Sequence, residues 1–159
     1  MNNPGRHYPE RPIVGVGAVI LVDAASPVAG LPGSLPEPCG VVLVKRRFEP
    51  LAGHWSLPGG LLELGEALEA GVAREMLEET GLVVTVGAVI EVFDRIMLDG
   101  EQRVRYHYVL IDYLCRPAGG DLRAGSDVSD VSIVDPRALA GYDVTPAVET
   151  VVSRALEMK

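Results

Sequence analysis

The stretch that most constrains this chain is residues 60–82. Gly60 is followed after five residues by Glu66, and after seven more by Arg74-Glu75-Met76-Leu77-Glu78-Glu79-Thr80-Gly81-Leu82. Residues 66–80 are mostly good helix formers, and Gly81 stands where a helix C-terminus favours glycine, so a helix is expected over 66–80. At about 100° per residue, Glu75, Glu78 and Glu79 share roughly 100° of arc. Ala70, Ala73 and Leu77 lie opposite and are expected to pack inward. Like charges one turn apart cost roughly a few tenths of a kcal/mol, so the acidic face calls for a counter-charge. A hard divalent cation supplies it, because oxygen-rich carboxylate sites suit Mg²⁺ or Mn²⁺. Gly71 lies on the same face and costs the helix about 1 kcal/mol against alanine; it leaves the backbone open to close approach. Three glutamates on a helix are by themselves more often a solvated face, and the spacing of the whole stretch is what argues otherwise.

That spacing reads Gly, five residues, Glu, seven residues, Arg-Glu-apolar-any-Glu-Glu-any-Gly-apolar, with every constrained position filled and His54-Trp55-Ser56-Leu57-Pro58-Gly59 before it. It resembles the Nudix box of the Nudix hydrolases. The resemblance implies an α/β/α sandwich around a mixed β-sheet. It also implies hydrolysis of a pyrophosphate linkage in a nucleoside diphosphate joined to another moiety, with Mg²⁺ as cofactor and Mn²⁺ as a substitute. Carried over by position, Glu75, Glu78 and Glu79 are the expected metal ligands, with the Gly60 carbonyl completing the shell. Glu75 and Glu78 are also the candidates for orienting or deprotonating the attacking water. Arg74 is expected to hold a glutamate in place by an ion pair, and Glu66 to support the helix start from behind the ligands. Many members add an acidic residue from a later loop. The candidates here are Asp127 and Asp130, and Asp130 is the one expected to join the metal.

The net charge of −8 argues against a general nucleic-acid surface and against RNA decapping. It also means that a phosphate substrate needs local cations. Lys45, Arg46 and Arg47 end an expected strand over 40–47, and Arg46 and Arg47 are the expected phosphate contacts. The 159 residues suit an N-terminal arm over 1–12, expected to be flexible, and one domain over 13–159. There is no run of 18 apolar residues and no apolar leader core, so no membrane contact and a cytoplasmic location are expected. Cys39 and Cys115 lack metal-ligand spacing and read as thiols, with a disulfide left open.

Along the chain, residues 13–22 read as a buried strand and 23–38 as a long Pro- and Gly-rich loop, mobile or used in assembly. Residues 48–57 read as a loop held by Trp55, after which Pro58-Gly59-Gly60 makes a tight turn. Residues 83–93 and 103–115 should pair as a hairpin around Asp99-Gly100. A Gly-rich loop over 117–126, a short strand over 131–134 and a helical turn over 136–139 follow. A last helix is expected from Thr145-Pro146, with Val148, Val151, Val152 and Ala155 inward.

The substrate is the least determined point. The downstream marks of several Nudix subgroups are missing. The run Tyr106-His107-Tyr108-Val109-Leu110-Ile111-Asp112-Tyr113 resembles small bacterial ADP-ribose-pyrophosphatase-like and MutT-like members. ADP-ribose or a related nucleotide sugar is therefore the expected substrate. The alternatives are oxidised or non-standard nucleoside triphosphates, or a nucleotide sensor without catalysis. Many members are dimers, so a homodimer is compatible with the resemblance.

Overall fold

The strand Ile13–Val22 (β1) is the spine of the computed structural model, which describes residues 5–159. Its alternation sends Val19 and Leu21 to one face and Ala18, Ile20 and Val22 to the other, all essentially without solvent contact. β1 runs parallel to Val104–Gly120 (β6), with Ile13 opposite Tyr108 and Ile20 opposite Cys115. Leu82–Leu98 (β5) pairs antiparallel with β6 and forms an edge.

The other edge of β1 is shared. Gly59–Leu61 (β4) pairs with Gly15–Gly17, whereas Gly40–Arg46 (β2) meets β1 only at Leu21 and Val22. β2 then pairs with Trp55–Ser56 (β3) and Val128–Val134 (β7). The seven-stranded mixed sheet is therefore split between β2 and β4, and the split opens a cavity.

A helix covers each face. Val72 and Met76 of α1 (Leu68–Thr80) pack with Val16, Ala18, Ile20, Val22, Val42 and Leu82. Val148, Val151, Val152 and Ala155 of α2 (Pro146–Met158) pack with Val19, Leu21, Val41 and Leu43, alongside the 3₁₀ turn Pro136–Tyr142. Each of the buried Val, Leu, Ile and Met side chains contributes about 1.5–3 kcal/mol through burial. This is the expected α/β/α arrangement. Among the described residues, no helix is long and apolar enough to cross a membrane.

Several boundaries differ from expectation. Pro58-Gly59-Gly60 is not a bare turn: Gly59–Leu61 is a strand, because Gly59 lets it lie against Val16 and Gly17 where a Cβ would collide. Both hairpin strands are longer than expected, and Pro117–Gly120 continues β6 rather than opening a loop. The 23–38 loop packs down, with Val28, Leu31 and Leu35 against the α1-side core and Ala29 bonded to Gly120 and Leu122. The two cysteines are free and buried. Of the expected arm, residues 1–4 lie outside the described residues. Tyr8 is tied to the hairpin, its N–H donating to the Arg105 carbonyl at 2.8 Å.

The main correction concerns the face of α1. Gly71, Val72, Glu75, Met76 and Thr80 are the buried positions, while Leu77 is 50% exposed and Ala70 is exposed. Alanine and one leucine offer little area. Val72 and Met76 bury more, and Gly71 admits Leu62, whose Cδ1 would stand 2.8 Å from an added Cβ. The carboxylates on that side turn inward with them. The C-terminus is as expected, with Gly81 at φ +74° and its N–H donating to the Leu77 carbonyl.

Candidate active site

The cavity in the split sheet has a volume of about 170 Å³. α1 presents Glu75 and Glu79 to it, β4 presents Gly59 and Gly60, and Asp127 stands at the start of β7. The Glu79 carboxylate accepts the Gly59 N–H at 2.9 Å, and burial pushes its pKa up to about 8, with the Glu75 charge adding to the shift. Burial also raises Glu75, against the pull of Arg74. Gly60 lies so close to the Glu75 carboxyl that a Cβ there would collide with it.

Arg74 organises the rest of the acidic group. Its Nε donates to Glu66 Oε2 at 2.7 Å and its Nη2 to Glu66 Oε1 at 2.8 Å and the Leu61 carbonyl at 3.0 Å. Nη1 donates to Glu75 Oε1 at 2.8 Å and Glu78 Oε2 at 3.3 Å. The Arg74 guanidinium holds the Glu66 carboxyl down to about 2. Glu66 also accepts the Glu63 N–H at 3.1 Å, which closes the loop before α1.

The opposite walls are basic. Arg6, Arg46, Arg47 and Arg95 all line the cavity. Arg46 donates from Nε to the Pro50 carbonyl at 2.6 Å, and burial lowers its pKa. Burial lowers Arg95 as well, facing Asp112, whose own pKa burial raises to about 6. Tyr108, Phe48, Phe93 and Leu110 supply aromatic and apolar surface.

Glu75, Glu79, Gly60, Arg46 and Arg47 thus converge, with Arg74 and Glu66 behind them. Two of the expected ligands stand apart. Glu78 is exposed, held by Arg74 outside the cavity lining. Asp130 pairs in register with Lys45, is exposed, and accepts the Val131 N–H at 2.8 Å. Asp127 occupies the cavity edge instead, because the β2–β7 irregularity near Arg46 brings the start of β7 inward. Arg6, Arg95, Tyr108 and Asp112 carried no local signal in the sequence; strand pairing assembles them.

Among the described residues, no three Asp, Glu, His or Cys side chains form a ready metal shell. Arg74 draws Glu75 and Glu78 to one side while Glu79 turns to Gly59. The donor set still suits a hard divalent cation. It offers the buried Glu75 carboxylate, the half-buried Glu79 carboxylate and a backbone approach that tolerates no Cβ, all oxygen donors. Glu75, Glu79 and the Gly60 carbonyl would hold the ion, whereas Glu78 is bonded to Arg74 outside the cavity lining.

A model of the Nudix domain matches residues 16–153. The chain is 32% identical over 109 residues to an ADP-ribose pyrophosphatase of Methanocaldococcus jannaschii, covering 69% of this chain and 62% of that protein. It is 39% identical over 97 residues to a MutT-like protein of Streptomyces ambofaciens, covering 61% and 56%. It therefore spans less than two thirds of either relative. The Nudix domain of Shewanella oneidensis NrtR, solved in complex with ADP ribose, superposes with a TM-score of 0.69 at 20% identity, covering 94% of this chain and 89% of that one. Taken with a domain match that runs from β1 into α2, the split sheet and its glutamate helix make this chain a member of the Nudix family.

Proposed function

We propose that this protein hydrolyses a pyrophosphate linkage in a nucleoside diphosphate joined to a second moiety, with ADP-ribose or a related nucleotide sugar as substrate and Mg²⁺ as cofactor. The observation that carries the reading is one cavity lined by two carboxylates, Glu75 and Glu79, at one side and four arginines on the others. A pyrophosphate is kinetically inert because its anionic oxygens repel nucleophiles. A bound divalent cation supplies Lewis-acid charge neutralisation and acidifies water.

The chain's own residues would do the rest. Arg46, Arg47 and Arg95 receive phosphate oxygens, whose negative charge the protein's net charge of −8 would otherwise repel. Arg74 holds Glu75 in one orientation, so that the carboxylate is preorganised. Glu75, with Glu78 as the second candidate, orients and deprotonates the attacking water. ADP-ribose leads because one relative carries that activity in its name and one structural neighbour holds that ligand. A small-molecule nucleotide partner and a cytoplasmic location follow from this reading.

The test is a hydrolysis screen with Mg²⁺, with Mn²⁺ and with chelator, with products separated by chromatography. It should include ADP-ribose, other nucleoside-diphosphate sugars, NADH, diadenosine polyphosphates, and ordinary and oxidised nucleoside triphosphates. The expected result is metal-dependent release of AMP and ribose 5-phosphate from ADP-ribose. Release of pyrophosphate from a triphosphate instead would replace the substrate assignment, and no metal-dependent turnover would overturn the hydrolase reading.

A further inference from the structure

Arg6 precedes the first strand, yet its side chain lines the cavity. Its Nε and the Tyr108 hydroxyl are both buried without a hydrogen-bond partner among the described residues. Two donors left in this state are costly unless a ligand brings acceptor oxygens. They also share one cavity, which Glu75 and Arg46 line as well. The Arg6 guanidinium and the Tyr108 ring thus line the same space as the glutamates.

The neighbouring residues hold Arg6 there. The Tyr8 N–H donates to the Arg105 carbonyl at 2.8 Å, and its hydroxyl donates to Asp99 Oδ2 at 2.8 Å. Arg103 lies over the Tyr8 ring, 5.1 Å from its centroid, and Arg105 Nε is 3.0 Å from His7 Nε2. The segment before β1 is therefore clamped to the tip of the β5–β6 hairpin, and the clamp directs Arg6 back into the cavity.

We infer that Arg6 and Tyr108 bind the second phosphate of the substrate's diphosphate and so select diphosphates over monophosphates. The inference rests on the substrate class proposed above. A single phosphate held by Arg46, Arg47 and Arg95 would leave the Arg6 Nε and the Tyr108 hydroxyl unpaired. A second phosphate reaching toward Tyr108 satisfies both, and the guanidinium fork matches phosphate geometry.

Calorimetric titration of ADP and of AMP in metal-free, chelated buffer tests this, because without metal the arginines alone hold the anion. The intact protein should bind ADP at least about tenfold more tightly than AMP. Arg6→Ala and Tyr108→Phe should each weaken ADP binding by roughly tenfold to a hundredfold while leaving AMP within about twofold. Tyr8→Phe, which loosens the clamp without touching the ligand, should give a smaller loss in the same direction. An unchanged ratio of ADP to AMP affinity in both cavity variants would overturn the inference. So would tighter ADP binding by Arg6→Ala, which would mean that the side chain fills the cavity in place of a ligand. The readout is separable from catalysis. Arg6-dependent ADP binding without any hydrolysis would sink the enzyme reading alone, and hydrolysis with Arg6-independent binding would sink this one alone.

Discussion

The Glu79 carboxylate accepts a 2.9 Å hydrogen bond from the Gly59 amide, joining the helix to the strand that opens the cavity. That one bond does not offset burial, and the carboxyl sits at about 8 against an ordinary value of 4.5. In the metal-free protein the folded state therefore keeps a proton that the unfolded chain has lost, and stability declines as pH rises from about 4.5 to about 8. Glu79→Gln should remove that decline and melt higher than wild type at pH 8 in chelator. The same change should lower Mg²⁺-dependent turnover by at least about a hundredfold. Thermal unfolding and rate measurements on one pair of proteins check both; a variant that keeps full activity would exclude Glu79 as a ligand. Glu78→Gln, outside the cavity lining, should cost turnover too, but less.

Arg74 bridges Glu66, Glu75 and Glu78. Arg74→Ala frees all three and should cost roughly tenfold to a hundredfold in turnover, the usual scale for groups that orient ligands. It should also let the Glu66 carboxyl rise from about 2 toward its ordinary 4.5. In wild type this pairing stabilises the fold above pH 4.5 and is lost as pH falls toward 2. NMR titration of the Glu66 carboxyl reads the shift directly.

A methyl group at Gly60 would collide with the Glu75 carboxyl. Gly60→Ala should displace Glu75, lower turnover by at least about tenfold and cost about 1–3 kcal/mol of stability. Gly100→Ala, at a turn where an added Cβ meets nothing, is the control and should leave turnover unchanged.

Two adjacent residues test the orientation of α1. Met76 is 0% exposed, and Met76→Ala should cost about 2–5 kcal/mol in denaturant unfolding. Leu77 is 50% exposed, and Leu77→Ser should stay within about 0.5 kcal/mol. The reverse order would mean that the helix presents its other face.

Asp112, on the strand wall of the same cavity, supplies a second pH-dependent effect. Burial raises its carboxyl from 3.8 to about 6 with Arg95 opposing, so its charge burdens the fold above pH 6 and that burden is relieved as pH falls toward 4. At about 1.36 kcal/mol per pH unit, wild type should gain about 3 kcal/mol relative to Asp112→Asn between pH 7 and pH 4. Unfolding curves of the two proteins at both pH values check the sign.

The sequence by itself determined what is local. The helix over the box and its Gly81 end follow from residue preferences within a few turns, as do the inward stripe of α2 and the hairpin around Asp99-Gly100. The spacing of Glu66, Arg74 and Glu75 was equally legible, because one loop and one helix bring them together. Tertiary structure decided which side of α1 faces inward. Helical periodicity separates two faces but does not say which the sheet will cover, and here Val72, Met76 and the close approach at Gly71 won over Ala70, Ala73 and Leu77. It also decided that Asp127 rather than Asp130 lines the cavity, since a register irregularity moves residues between faces without any mark in composition. Arg6, Arg95, Tyr108 and Asp112 lie on three separate segments, and the pairing of β1 with β6 and of β6 with β5 gathers them. Such non-local contacts depend on the whole sheet closing, and no window of sequence around any one of these residues contains the others.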